Sequence, residues 1–268
     1  MRSVAGTTRI CSQLSPGDGA AVLVADFKAL NGEPRLSQLM CDAAADRRIY
    51  QVDPRGAVSG DRLYASLPEL ADEAAAIFRS CESAALADQR VFIVSHCSAV
   101  DLSLQIASRL TDTHEVTAIL VRPTWPGTEE NIAARFAEFQ AKFGAGRHPC
   151  PDLDGDPWSC VAEMEQLMRE GLTAVAARLG LEAAPPAFSE LLVTYRSWLA
   201  FLLACRNDQP ARAPSAAVAV SVLTDEPDFV LPGTGPGRCR IAATPPAEHP
   251  DAMTPELAKL VLDQVMSS

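Results

Sequence analysis

The chain has 268 residues, a formal net charge of −11 at pH 7, 48% hydrophobic residues and 21% charged ones. That length fits one large α/β domain with an insertion, or two small domains. An acidic chain without a cluster of Lys and Arg lacks the means to neutralise a phosphate backbone, which excludes a nucleic-acid binder.

The cysteines Cys11, Cys41, Cys81, Cys97, Cys150, Cys160, Cys205 and Cys239 form no Cys-x-x-Cys pair, and no secretory signal precedes them. A reduced, cytoplasmic setting with mostly inert core thiols is expected. The polar opening from Met1 to Gly19 reads as a loose arm or an early edge strand. Ala20 to Ala25 is a short apolar run ending at Asp26, the pattern of a buried parallel strand. A helix around Leu36 to Ala45, a strand at Arg48 to Val52 and the turn Asp53-Pro54-Arg55-Gly56 follow. From Leu67 to Ala84 the residues Leu67, Leu70, Ala74, Ile77 and Phe78 recur at helical spacing and define one buried face.

The next stretch is the most informative. Val91 to Val94 forms an apolar strand that runs into Ser95-His96-Cys97-Ser98-Ala99 and then into an amphipathic helix, Val100 to Leu110. A further strand spans Val116 to Val121. Strands and helices alternate with short connections, which predicts a mostly parallel sheet with helices on both faces.

After Pro126 this rhythm stops. Three helical patterns, Glu129 to Phe143, Trp158 to Leu179 and Pro186 to Cys205, are read as an inserted helical segment over residues 127–209 of a single domain. Its apolar stripes fit simple packing or a lid over an acyl chain, with Tyr195, Trp198 and Phe201 as the candidate lid residues. Leu191 to Cys205 carries Arg196 and Ser197 in its middle and reads as too short and too polar for a membrane span. The sheet resumes at Ala217 to Leu223, ending at Thr224-Asp225-Glu226. A last strand at Cys239 to Ala243 leads to Glu248-His249-Pro250, and a helix from Pro255 to Met266 closes the chain with Thr254 as its N-cap.

Strand, tight turn of small residues and helix together make the setting of a nucleophile elbow, here with cysteine at its tip. The helix start favours a thiolate at Cys97; the bland alternative is an inert thiol. Cys97, Asp225 and His249 stand at the ends of successive strands in nucleophile, acid, histidine order, and carboxyl ends of strands form the crevice of open α/β sheets. His249 is the candidate general base and acid, against a merely solvated loop histidine. Asp225 is the candidate that orients it, with Asp228 as its competitor. The oxyanion hole is expected from the backbone amide of Ser98 and one at Asp26 or Phe27. Ser95 and Ala99 occupy positions usually held by glycine, and Ser95 is expected to carry backbone strain. His96 reads as a packing residue, His114 and His148 as surface residues. His148, Cys150 and Cys160 are too scattered to predict a metal site.

On these residues the chain resembles the thioesterase branch of the α/β hydrolases, in particular the stand-alone or type II thioesterases of polyketide and nonribosomal peptide biosynthesis. The resemblance rests on Val22 to Asp26, Tyr50 to Gly56, Leu67 to Ala84, Val91 to Leu110, the strand to Pro123, the helical insertion and Glu248-His249. It implies an α/β-hydrolase fold, an acyl or peptidyl carrier protein as partner, a substrate carried on that partner's phosphopantetheine, and no cofactor of its own. The family's Gly-His-Ser-x-Gly is here Ser95-His96-Cys97-Ser98-Ala99. Where some members carry an acid after the strand following the elbow, this chain has Arg122-Pro123, and Asp26-Phe27-Lys28 replaces a glycine-rich segment. Members with cysteine at the elbow include acyl shuttles and amide- or ring-forming enzymes. The leading expectation is acyl transfer through Cys97 to an amine, hydroxyl or second carrier thiol. Hydrolytic editing or product release, and a non-catalytic carrier-binding role, remain the alternatives.

Overall fold

The structure, a computed structural model, describes residues 9–27, 34–44, 46–58, 61–82, 90–142, 148–181, 185–208, 214–226, 228–234, 239–245 and 253–267. The chain divides into two compact units. One is an α/β layer built from Arg9–Asp53, Leu67–Trp125 and Pro210–Ser268. The other is helical and gathers Pro126–Gln209 with Pro54–Ser66.

In the α/β unit, short apolar runs flanked by turns become strands β1 (Cys11–Pro16), β2 (Ala21–Ala25), β3 (Arg48–Val52), β4 (Arg90–His96), β5 (Glu115–Val121), β6 (Ala219–Thr224) and β7 (Cys239–Ala243). They form one sheet in the order β1-β3-β2-β4-β5-β6-β7. Every pairing is parallel except β1 with β3. All five residues of β2 are buried, as a central strand covered on both faces requires. The opening segment supplies the antiparallel edge strand β1, whose register shifts between Gln13 and Ser15.

Successive side chains leave a strand on opposite faces. Val22 and Val24 join Phe92, Val94, Ile119 and Val121 under α1 (Leu36–Ala43) and α7 (Pro255–Ser267), which contribute Leu36, Met40, Leu257 and Val261. Burial of each such side chain stabilises the layer by about 1.5–3 kcal/mol. Leu23, Ile93, Ala118 and Leu120 turn the other way and are equally buried, on the face where α2 (Leu67–Glu82) and α3 (Val100–Leu110) pack together. Thr254 caps α7 by accepting from the Leu257 amide at 3.2 Å.

The helical unit contains α4 (Glu129–Lys142), α5 (Pro157–Arg178) and α6 (Pro186–Asn207). Asp156 caps α5, accepting from the Ser159 amide at 2.9 Å. The sequence estimate of α6 needs correction. At 22 residues it is long and apolar enough to cross a membrane on length and composition, with 61% of its most apolar window buried inside the structure. Arg196 sits in its middle because both ends of the guanidinium are held within the unit. One donates to Glu165 Oε2 at 3.1 Å and the other to the Val58 carbonyl at 3.0 Å.

Candidate active site

The elbow is built by β4, a one-turn 3-10 segment and α3. His96 ends the strand with an extended backbone (φ −115°, ψ 132°), Cys97 swings to φ 52°, and Cys97–Ala99 wind into α3 at Val100. A side chain in the left-handed region costs about 1–2 kcal/mol and persists only where its surroundings hold it. Two features hold this one. The Thr124 amide donates to the Cys97 carbonyl at 3.1 Å, and the flanking Ser95 and Ala99 are both fully buried. Small residues are needed at these two places because the turn is packed on both sides.

The strain expected at Ser95 falls elsewhere. Ser95 lies in the regular ladder between Ala25 of β2 and Leu120 of β5, and among the described non-glycine residues only Cys97 and Arg122 have positive φ. The Ser95 hydroxyl is buried without a hydrogen-bond partner among the described residues.

The Cys97 side chain is half-buried, with Sγ 3.1 Å from the Thr124 hydroxyl oxygen. Ser98 follows at the start of the turn, where the first amides have no acceptor within the helix. The amide of Asp26 is not a candidate oxyanion donor, because it donates to the Val52 carbonyl at 3.3 Å and so extends the ladder by one residue. The Asp26 carboxylate is buried and accepts from the Ser37 amide at 2.7 Å and from Gln51 Nε2 at 2.9 Å. Burial nonetheless holds its pKa above the ordinary carboxylate value, outweighing those bonds.

Asp225 stands exposed immediately after buried Thr224 at the end of β6, and Asp228 is exposed three residues on. Strand β5 lies between β4 and β6. Cys97 and Asp225 therefore follow the carboxyl ends of strands separated by one other strand, not of successive strands as expected. His249 and Glu248 lie outside the described residues.

No family model and no curated protein matches the chain. Solved structures do. The four-domain nonribosomal peptide synthetase holo-AB3403, determined with AMP and glycine, is similar with a TM-score of 0.60 and 13% identity over 97% of this chain. The chain spans only 20% of that synthetase. An α/β hydrolase family protein from Desulfitobacterium hafniense gives a TM-score of 0.54 and 16% identity, covering 95% of this chain and 99% of that one. The Vlm2 thioesterase domain with a bound dodecadepsipeptide gives 0.53 and 15%, covering 96% and 98%.

The chain has the α/β-hydrolase fold.

The turn at Cys97 is the chain's own strand-to-helix turn after β4, the local geometry that a nucleophile elbow requires. Two residues lie beside it, Arg122, noted in the sequence only as replacing an acid, and Thr124, which sequence reasoning missed. Arg122, the residue after β5, is buried with φ 45°; its amide donates to the Leu223 carbonyl at 2.7 Å and its guanidinium to the Pro245 carbonyl at 2.9 Å. Thr124 is the second. The signal for Thr124 is topological, since the segment after β5, the strand paired with β4, leaves the sheet beside the turn at Cys97.

Of the residues proposed for the lid, Tyr195 and Phe201 are buried within the helical unit. Tyr195 meets the Phe139 ring edge-on at 4.7 Å, and its hydroxyl accepts from Lys142 Nζ at 2.9 Å. Phe201 stacks with half-buried Trp198 at 6.0 Å. His114 is not a plain surface residue. Its ring lies 5.8 Å from that of Phe78, and burial lowers its pKa. Burial raises the thiols of Cys150 and Cys160 to about 11, and no group of three potential metal ligands comes together among the described residues.

Proposed function

We propose that the protein transfers an acyl group from the phosphopantetheine thioester of a carrier protein, through an acyl-Cys97 intermediate, to a small-molecule or carrier-bound acceptor. The observation that carries this reading is the left-handed, half-buried Cys97 at the strand-to-helix turn. In the proposed first half-reaction His249 accepts the Cys97 proton while Sγ attacks the thioester carbonyl. Collapse of the tetrahedral intermediate breaks the bond to the pantetheine sulfur, which takes the proton back from His249. One thioester replaces another, so the acyl group stays activated. In the second half-reaction an amine, hydroxyl or thiol attacks the Cys97 thioester, His249 relays its proton to Sγ, and free Cys97 returns. Asp225 orients His249 in this scheme, and the amides of Ser98 and Phe27 receive the oxyanion.

The likeness to a thioesterase domain favours a second reading, in which water is the acceptor. Incubation with a panel of pantetheine thioesters followed by intact-mass measurement separates the two. An adduct on Cys97 that persists until an acceptor is added supports transfer, whereas rapid release of free acid supports hydrolysis. Neither adduct nor turnover across the panel leaves a non-catalytic carrier-binding role. Cys97→Ser sharpens the comparison, because an oxyester is less activated than a thioester. If this variant hydrolyses better than the wild type while losing transfer, the thiol serves the transfer reaction.

A further inference from the structure

We infer that Thr124 positions the Cys97 sulfur, its amide fixing the strained backbone and its hydroxyl fixing Sγ. The inference deepens the reading of Cys97 as the nucleophile and rests on it. Thr124 reaches Cys97 at two points, through a backbone hydrogen bond at 3.1 Å and through the Oγ1–Sγ contact at 3.1 Å. The pairing is set by topology. His96 of β4 lies beside Val121 of β5, so the segment Arg122-Pro123-Thr124 leaves the sheet next to the elbow, and the turn at Arg122 brings Thr124 back onto it.

A hydroxyl is suited to this place because it works with either form of the sulfur. It accepts the proton of a thiol and, by rotating, donates its own to a thiolate. A hydrogen bond to an ionised partner is about twice as strong as one between neutral groups. Thr124 thus favours departure of the Cys97 proton and holds the sulfur on one rotamer while the proton is away. A valine has the same shape and provides neither service.

The test follows alkylation of Cys97 by iodoacetamide across pH, with the labelled peptide identified by mass because the chain contains other free thiols. Thr124→Val is compared with Thr124→Ser, which keeps the hydroxyl, and Thr124→Ala replaces valine if that variant does not fold. Asp26, His96, Asp101, Arg122 and Asp225, the ionisable residues on the neighbouring strand ends and the first turn of α3, are unchanged in every variant, so a shift isolates the hydroxyl. Removing it is expected to raise the midpoint of alkylation by about 0.5–1 pH unit, with the serine variant tracking the wild type. Superimposable profiles for wild type and the hydroxyl-free variant overturn the inference. Acyl-adduct formation is read separately. A wild type that shows the Thr124 dependence but takes no acyl group overturns the proposed function and leaves the positioning role standing. Adduct formation with unshifted alkylation does the reverse.

Discussion

Cys97 and Arg122 are neighbours at the carboxyl edge of the sheet, each one residue beyond the paired His96 and Val121, and both have left-handed backbone, with φ of 52° and 45°. Each is secured by a main-chain hydrogen bond to the next segment: the Cys97 carbonyl accepts from Thr124, and the Arg122 amide donates to Leu223. Both strained residues therefore lie on the carboxyl edge of the sheet, the edge at which open α/β sheets in general bind ligands.

The strain at Cys97 has a measurable consequence. Cys97→Ala and Cys97→Gly both lack the thiol, but only glycine adopts positive φ without a steric penalty. The glycine variant is expected to be the more stable by about 1 kcal/mol in urea denaturation. Equal midpoints, or a more stable alanine variant, would remove strain from the account of the elbow.

Asp26 links stability to pH. Its folded pKa lies above the ordinary value of 3.8, mainly through burial. Below that value the carboxyl is protonated in both states, so it makes no difference to their balance. As pH rises through the window between the unfolded and the raised folded pKa, the unfolded state loses its proton first, and stability falls. Asp26→Asn keeps an acceptor for the Ser37 amide and has no proton to lose. Its melting temperature is expected to gain on the wild type between pH 4 and pH 7, and a gap that narrows instead would contradict the assignment.

Much of the α/β layer was legible because its strands are short apolar runs and its helices carry clear stripes. Helix α3 runs from Val100 to Leu110 as its periodicity implies. The elbow was legible too, since small residues between a strand and a helix leave few other conformations. Local pattern did not disclose what depends on pairing. Whether the Asp26 amide is free or extends the ladder is decided by Val52 on another strand. Thr124 acquires meaning only from its contact with Cys97, and His114 only from Phe78. Arg196 looked like a polar interruption because its partners, Glu165 and Val58, are remote in sequence.

Glu82 anchors a buried polar group beneath the sheet edge. It pairs with Arg48 and accepts from the Tyr50 hydroxyl at 2.6 Å, while Arg48 Nε donates to the Gly19 carbonyl at 2.8 Å. Replacing Glu82 by alanine strands a buried guanidinium and is expected to cost about 3–5 kcal/mol. Tyr50→Phe removes one charge-assisted bond and should cost about 1.5–3 kcal/mol. Chemical denaturation of both variants checks the order, and an alanine variant milder than the phenylalanine one would refute it.

Gly127 is required for a different reason, the close approach of two backbones. A Cβ built there would lie 2.6 Å from the Cys205 carbonyl carbon and 2.7 Å from the Arg206 nitrogen, both in the last turns of α6. The segment cannot easily back away, because the Pro126 carbonyl accepts from the Thr128 amide and from Asn131 Nδ2, each at 2.8 Å. Gly127→Ala must therefore move main chain, with an expected loss of about 1–3 kcal/mol. Gly155→Ala is the matched control, since the nearest atom to its added Cβ is the Asp152 carbonyl oxygen at 3.8 Å, and a change within about 0.5 kcal/mol is expected. Hydrogen exchange locates the effect: faster exchange confined to α4 and α6 in the Gly127 variant assigns it to that contact. Equal losses in the two variants would assign it to glycine's backbone freedom alone.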